Sequence, residues 1–151
     1  MVFRRLLLVI SLLLSILTNG PNHEKNELIA SNQQDQTIVT ISEIKDMVRN
    51  MQTKADVNSI LGRNYQEIRG ELYNNTVWRF DLYPVSNYQY MSKFDTVDSE
   101  GLQEGLVKYI IFISFGEEDN IISKSIYYCD IKGNIYEVKY IENTEKEVIL
   151  F

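Results

Sequence analysis

Three strand-like runs follow one another with almost no chain between them, and that spacing constrains the fold more than any other feature. Leu106 to Phe115, LVKYIIFISF, is a nearly continuous apolar run. Gly116-Glu117-Glu118-Asp119-Asn120 is a turn, and Ile121 to Asp130 is the next run. Lys132-Gly133-Asn134 is a tighter turn in which Gly133 is free to take positive φ. Ile135 to Ile141 then alternates, with Tyr136, Val138 and Tyr140 opposite Glu137 and Lys139. Strands joined by connections this short are antiparallel neighbours. Upstream, Val77 to Tyr83 also alternates, Trp78, Phe80 and Leu82 on one face and Arg79 and Asp81 on the other, until Pro84 ends it. Ten tyrosines and six phenylalanines suit a pleated, half-buried surface of this kind.

Two short helices are expected ahead of these strands. Ile41, Ile44, Met47, Val48 and Met51 recur at helical spacing over about Ser42 to Asn50, with Ser42 as the N-cap. Thr53 caps a second helix, and Asp56 three residues on completes a capping box with Asp in place of Glu. Val57, Ile60 and Leu61 form its apolar stripe, and Gly62 is the left-handed stop. Neither helix buries its stripe alone, so both must pack on a common sheet or on each other. The expected fold class is α+β: two short N-terminal helices packed on one face of an antiparallel meander of about four strands.

These residues resemble a known family. A helix, then M-x-T-K-x-D-V-x-x-I-L-G from Met51 to Gly62, the Trp78-x-Phe80 strand, and a strand ending Phe115-Gly-Glu-Glu-Asp-Asn-Ile121 are similar to the SmpA/OmlA domain. That family includes the outer-membrane assembly lipoprotein BamE and, more distantly, shares the fold of β-lactamase inhibitor proteins. The resemblance covers roughly residues 40–125. It implies a non-catalytic protein–protein contact made through the sheet face, an edge strand or a loop. The chain departs from the family in carrying Gly62-Arg63-Asn64 where Gly-x-Pro is usual, and in lacking the lipidated cysteine.

Residues 1–20 have the plan of a secretory signal or an uncleaved anchor. Arg4 and Arg5 precede a 12-residue run, Leu6 to Leu17, broken only by Ser11 and Ser15. Residues 21–38 form a polar linker rich in Asn and Gln, and 39–151 is left for a single domain. This organisation places the domain outside the cytoplasmic membrane, secreted or held to it by residues 1–20.

Composition narrows the chemistry. A net charge of −6 argues against coating nucleic acid or anionic lipid. A single cysteine, Cys129, and a single histidine, His23 in the linker, exclude an intramolecular disulfide and a Cys/His zinc site. Asp95, Asp98, Glu100 and the run Glu117 to Asp119 lack the spacing of a calcium loop. No Gly-x-Gly-x-x-Gly, P-loop or Gly-x-Ser-x-Gly motif is present, so no cofactor and no catalytic residue is named.

The longest non-periodic segment is Val85 to Gly105, and such loops are commonly functional. Tyr88, Tyr90 and Phe94 are its candidate binding residues, with Met91 beside them. The alternative is that these rings fold back over a face or edge of the sheet. The expectation is therefore a binding or scaffold protein of the bacterial cell envelope, not an enzyme, whose partner is another envelope or extracellular protein. The alternative is a secreted enzyme or a hydrolase-inhibitor-like protein.

Overall fold

In the computed structural model, which describes residues 39–142 and 144–151, two capped helices lead into the sheet. The expected signal or anchor and the linker lie outside the described residues. Helix α1 (Ile41–Arg49) is started by Thr40, two residues before the expected cap. The Thr40 hydroxyl accepts from the Glu43 amide, and the Glu43 carboxylate accepts from the Thr40 amide at 2.7 Å. Those bonds satisfy two donors that no helix turn can reach, and they hold the Glu43 carboxyl below its usual range. Helix α2 (Lys54–Leu61) has the expected Thr53–Asp56 box and stops at Gly62, whose φ is 81°.

Six strands follow: β1 (Gln66–Arg69), β2 (Thr76–Leu82), β3 (Tyr109–Phe115), β4 (Ile121–Cys129), β5 (Ile135–Ile141) and β6 (Thr144–Ile149). They pair antiparallel in chain order, and a third helix, α3 (Ser99–Gln103), lies between β2 and β3. The expected fold class is overturned. Among the described residues the sheet has six strands, not about four, and it dominates, while the α-helices are three and short. The two extra strands are the edges. QEIR offers one buried apolar residue, Ile68, and TEKEVI is half charged and almost wholly exposed, so neither carries the alternation that marks a half-buried strand.

Register sorts the core into two. On one face Phe80, Ile111, Ile126 and Val138 lie in a row across four strands. They pack with Ile44 and Val48 of α1, Val57 of α2, and Met51 between the helices. Each such side chain, once fully buried, contributes about 1.5–3 kcal/mol. Tyr65 stacks on Trp78 at 4.0 Å, and Phe115 meets Trp78 edge-on at 4.8 Å. On the opposite face Ile68, Val77, Ile110, Phe112, Tyr127 and Ile135 form a second core, covered by the β2–β3 connection.

One charge is buried under the helices. Lys124, opposite Ile113 and Tyr140 in the sheet, donates from Nζ to the carbonyls of Arg49 (2.8 Å) and Met51 (2.9 Å). It closes the C-terminal end of α1 from below, where orphan carbonyls and the helix dipole favour a cation. Burial lowers its pKa. Lys124→Met should leave those carbonyls without a donor and cost about 2–3 kcal/mol in urea unfolding. Thr53→Ala, which removes only a cap, should cost about 1 kcal/mol. A smaller loss for Lys124→Met than for Thr53→Ala would show that the lysine does not hold the helix end.

Candidate functional site

The chain between β2 and β3, residues 83–108, is a strap laid across the second sheet face. Its two ends are tied together, Lys108 N–H donating to Leu82 O (3.1 Å) and Val85 N–H to Leu106 O (2.9 Å). Within it Asp98 caps α3, its Oδ1 accepting from the Gly101 amide at 3.0 Å. The Tyr88 hydroxyl donates to the other oxygen of the same carboxylate. A Cβ at position 101 would meet both the Tyr88 hydroxyl and the Asp98 carboxylate, so a larger residue there would have to displace that pair. Leu102 and Val107 then seat the strap on the second core, with half-buried Tyr88 and Val97 beside them.

Arg79 of β2 is the hold on this strap. Its side chain has no exposed surface. Nε donates to Asp81 Oδ1 (2.8 Å) and Nη1 to the Thr96 carbonyl of the strap (3.0 Å). The guanidinium lies 4.5 Å from the centre of the Tyr90 ring and 5.6 Å from that of Phe112. Nη2 is buried with no partner, a cost the other contacts offset. Burial raises the pKa of the Asp81 carboxyl, against the pull of Arg79 and with a further push from Asp98. Tyr88 is raised by burial and by Asp98. Farther along this face Glu137 accepts from Tyr127 (2.7 Å) and Ser125 (3.2 Å), and burial with Glu137 raises the Tyr127 hydroxyl.

The outer border of the strap runs beside β1 as an irregular extra strand. Arg69 N–H donates to Lys93 O and Asp95 N–H to Arg69 O, both 3.1 Å, as a parallel bridge. The Gln66 side chain donates to Tyr90 O (2.7 Å), and the Glu71 amide to Asp95 Oδ1 (2.8 Å). Between β1, the β1–β2 turn and Ser92 to Phe94 the surface forms a recess of about 560 Å³. Large apolar side chains stand exposed in the segments around it: Leu72 and Tyr73 in the turn, Met91 and Phe94 in the strap.

The three residues singled out by sequence therefore separate. Tyr88 and Tyr90 point inward and are engaged by Asp98 and Arg79, whereas Phe94 sits half exposed at the edge. Three of the acidic residues are engaged, Asp95 by the Glu71 amide, Asp98 by Gly101 and Tyr88, and Asp119 by Lys54 at 2.5 Å. Among the described residues no three potential metal ligands gather. Cys129 is half-buried against the second core, and burial raises its thiol pKa. Asp81 of β2 and Asp98 of the strap do not line the recess. Leu72 and Tyr73 escaped the sequence reading because they lie in a polar, non-periodic stretch. Comparison with family models, with curated proteins and with solved structures finds no match to this chain.

Arg79→Met should cost about 3–5 kcal/mol in chemical unfolding, because it leaves Asp81 without its cation. Arg79→Met combined with Asp81→Val should recover part of that loss. The remainder measures what Thr96 and Tyr90 contribute to holding the strap, and full recovery would mean the strap does not depend on the guanidinium. Alkaline stability gives a second check. A tyrosine whose pKa is higher folded than unfolded keeps its proton more tightly in the fold. Its contribution is complete below the unfolded value of about 10 and is lost as pH climbs toward the folded value. With Tyr88 and Tyr127 raised and Tyr140 pushed up to about 12, stability should fall steadily above pH ~10. Tyr127→Phe should flatten that decline in urea midpoints measured against pH.

Proposed function

We propose that this chain is a non-catalytic binding module of the cell envelope, working outside the cytoplasmic membrane, with the strap–hairpin edge as its contact surface. The observation that carries this reading is the gathering of Leu72, Tyr73, Met91 and Phe94, all exposed, in the two segments that border one recess. Isolated exposed apolar residues are ordinary. Four on two segments tethered at Arg69 and Phe94 give one edge of the sheet aromatic and Met anchors in a polar surround, the residue types that protein interfaces favour.

The strap supports the reading mechanically. A buried arginine, a glycine-dependent tyrosine–carboxylate contact and a backbone bridge to β1 hold it against the sheet. A partner would thus meet a pre-shaped surface, with little ordering cost on binding. The motif resemblance of residues 40–125 to SmpA/OmlA domains, which no family model matches, is in keeping with a scaffold role, and the signal-like pattern of residues 1–20 with that compartment. The partner proposed is another envelope protein.

A photocrosslinking residue placed at Tyr73 or Met91 of the full chain in its own cells should give one dominant protein adduct. The same residue at Ile131, fully exposed in the β4–β5 turn, should not. Leu72→Ser with Tyr73→Ser should reduce the adduct formed from position 91 at least about tenfold. Stability should change little, since substitutions at such exposed positions usually stay within about 0.5 kcal/mol. Equal adducts from positions 73, 91 and 131 would remove this surface as the binding site.

A further inference from the structure

Beside the apolar anchors, the recess itself has a different chemistry. Its lining residues include Glu67, Arg69, Asn74, Thr76 and Ser92, together with half-exposed Phe94. Several of their polar atoms are free for a ligand. Arg69 spends Nη1 on Asn74 Oδ1, which leaves its other guanidinium nitrogens and the Asn74 amide nitrogen without partners among the described residues. Glu67 accepts the Trp78 indole N–H at 3.3 Å through one carboxylate oxygen and keeps the other. Ser92 only accepts, from the Phe94 amide, so its own hydroxyl proton is free.

We propose that this recess binds a short glycan of about two or three sugar units, a ligand class distinct from the protein contact proposed above. Forked side chains such as guanidinium, carboxylate and amide offer paired donors and acceptors, and adjacent sugar hydroxyls match that pairing. The apolar C–H faces of a sugar ring suit the exposed Phe94 ring. A volume of about 560 Å³ lies within the range of small-ligand sites. Two other occupants fit less well. An extended peptide binds a sheet edge through a run of free backbone groups, and here Arg69 is already bridged to Lys93 and Asp95 while Gln66 holds Tyr90 O. A phosphate-rich ligand would want an excess of cations, yet Glu67 in the recess and Glu71 and Asp95 beside it balance Arg69 and Lys93.

The only tryptophan reports on the site, because the Trp78 indole is bonded to Glu67. Tryptophan fluorescence of the full chain in a zwitterionic detergent, titrated with chitotriose, cellotriose and maltotriose, should saturate for at least one of the three. Dissociation constants near or below ~1 mM are expected. Arg69→Ala, at an exposed position, should weaken that binding about tenfold or more with an unchanged melting temperature, and Asn74→Ala should weaken it as much with a small fall in melting temperature, because residue 74 holds a φ of 52°. Leu72→Ser should leave it unchanged, which separates this site from the protein-contact surface. No saturable response to any of the three sugars overturns the proposal. Saturation by a short Ser/Thr/Val peptide in place of the sugars overturns it in favour of a peptide groove. Sugar binding that survives Arg69→Ala and Asn74→Ala places the site elsewhere and overturns it as well.

Discussion

Strand β3 is apolar on both of its faces, and most of the architecture answers to that. Tyr109, Ile111, Ile113 and Phe115 point to one side, and Ile110 and Phe112 to the other, and all six are buried. A sheet whose central strand repels water on both sides needs two covers. The amphipathic α1 and α2 provide the first. Among the described residues no further helix of that length is left for the second, so the β2–β3 connection, which would otherwise be a loop, does that work. Its length of more than twenty residues reflects the area it must cover, and its short helix α3 supplies Leu102 as an apolar plug.

A cover made of irregular chain has backbone polar groups to satisfy and few apolar side chains to offer. Arg79 resolves part of that difficulty. It rises from the sheet as a buried cation, meets a strap carbonyl at Thr96, and presents flat surface to Tyr90 above and Phe112 below. Asp81, two residues on along the same strand face, neutralises it. A hydrophobic residue at 79 would pack equally well against Phe112 but would give Thr96 no donor. The orphaned Nη2 and the raised Asp81 are what remains when a charge is buried for positioning instead of net stability. Lys124 plays the matching part on the other face, where the groups to satisfy are the end carbonyls of α1.

The parts of this structure that could be read from sequence are those whose information is local. The Thr53–Asp56 box, the Gly62 stop and the alternating runs of β2 and β5 are written within a few residues, and each forms where its pattern lies. The edge strands are not. Charged β6 holds its place because Glu145 and Glu147 reach Arg49 and Lys45 of α1, about a hundred residues away in the chain. β1 holds because Ile68 sits against Val77 and the strap closes over its edge. For the loop, the aromatic enrichment was visible but its direction was not. Tyr88 turns inward because Gly101 leaves room for it against Asp98, and Tyr90 because Arg79 lies beneath it. In both cases the deciding contact lies at least ten residues away.

The two edges of the sheet also constrain how the molecule can meet anything else. An open strand edge invites another strand. At β6 the edge strand carries Glu145, Lys146 and Glu147, and charge discourages such pairing. At β1 the edge is occupied by the strap's own backbone, through Lys93 and Asp95. Recognition by adding a strand is therefore disfavoured at both ends, for different reasons. What the β1 edge leaves available is side chains held on a fixed backbone: apolar ones at Leu72, Tyr73, Met91 and Phe94, and polar ones in the recess between them. Because Tyr88, Tyr90 and Arg79 already tie the strap down from within, those outward side chains do not have to stabilise the fold. They are the part of this segment most free to be set by a ligand.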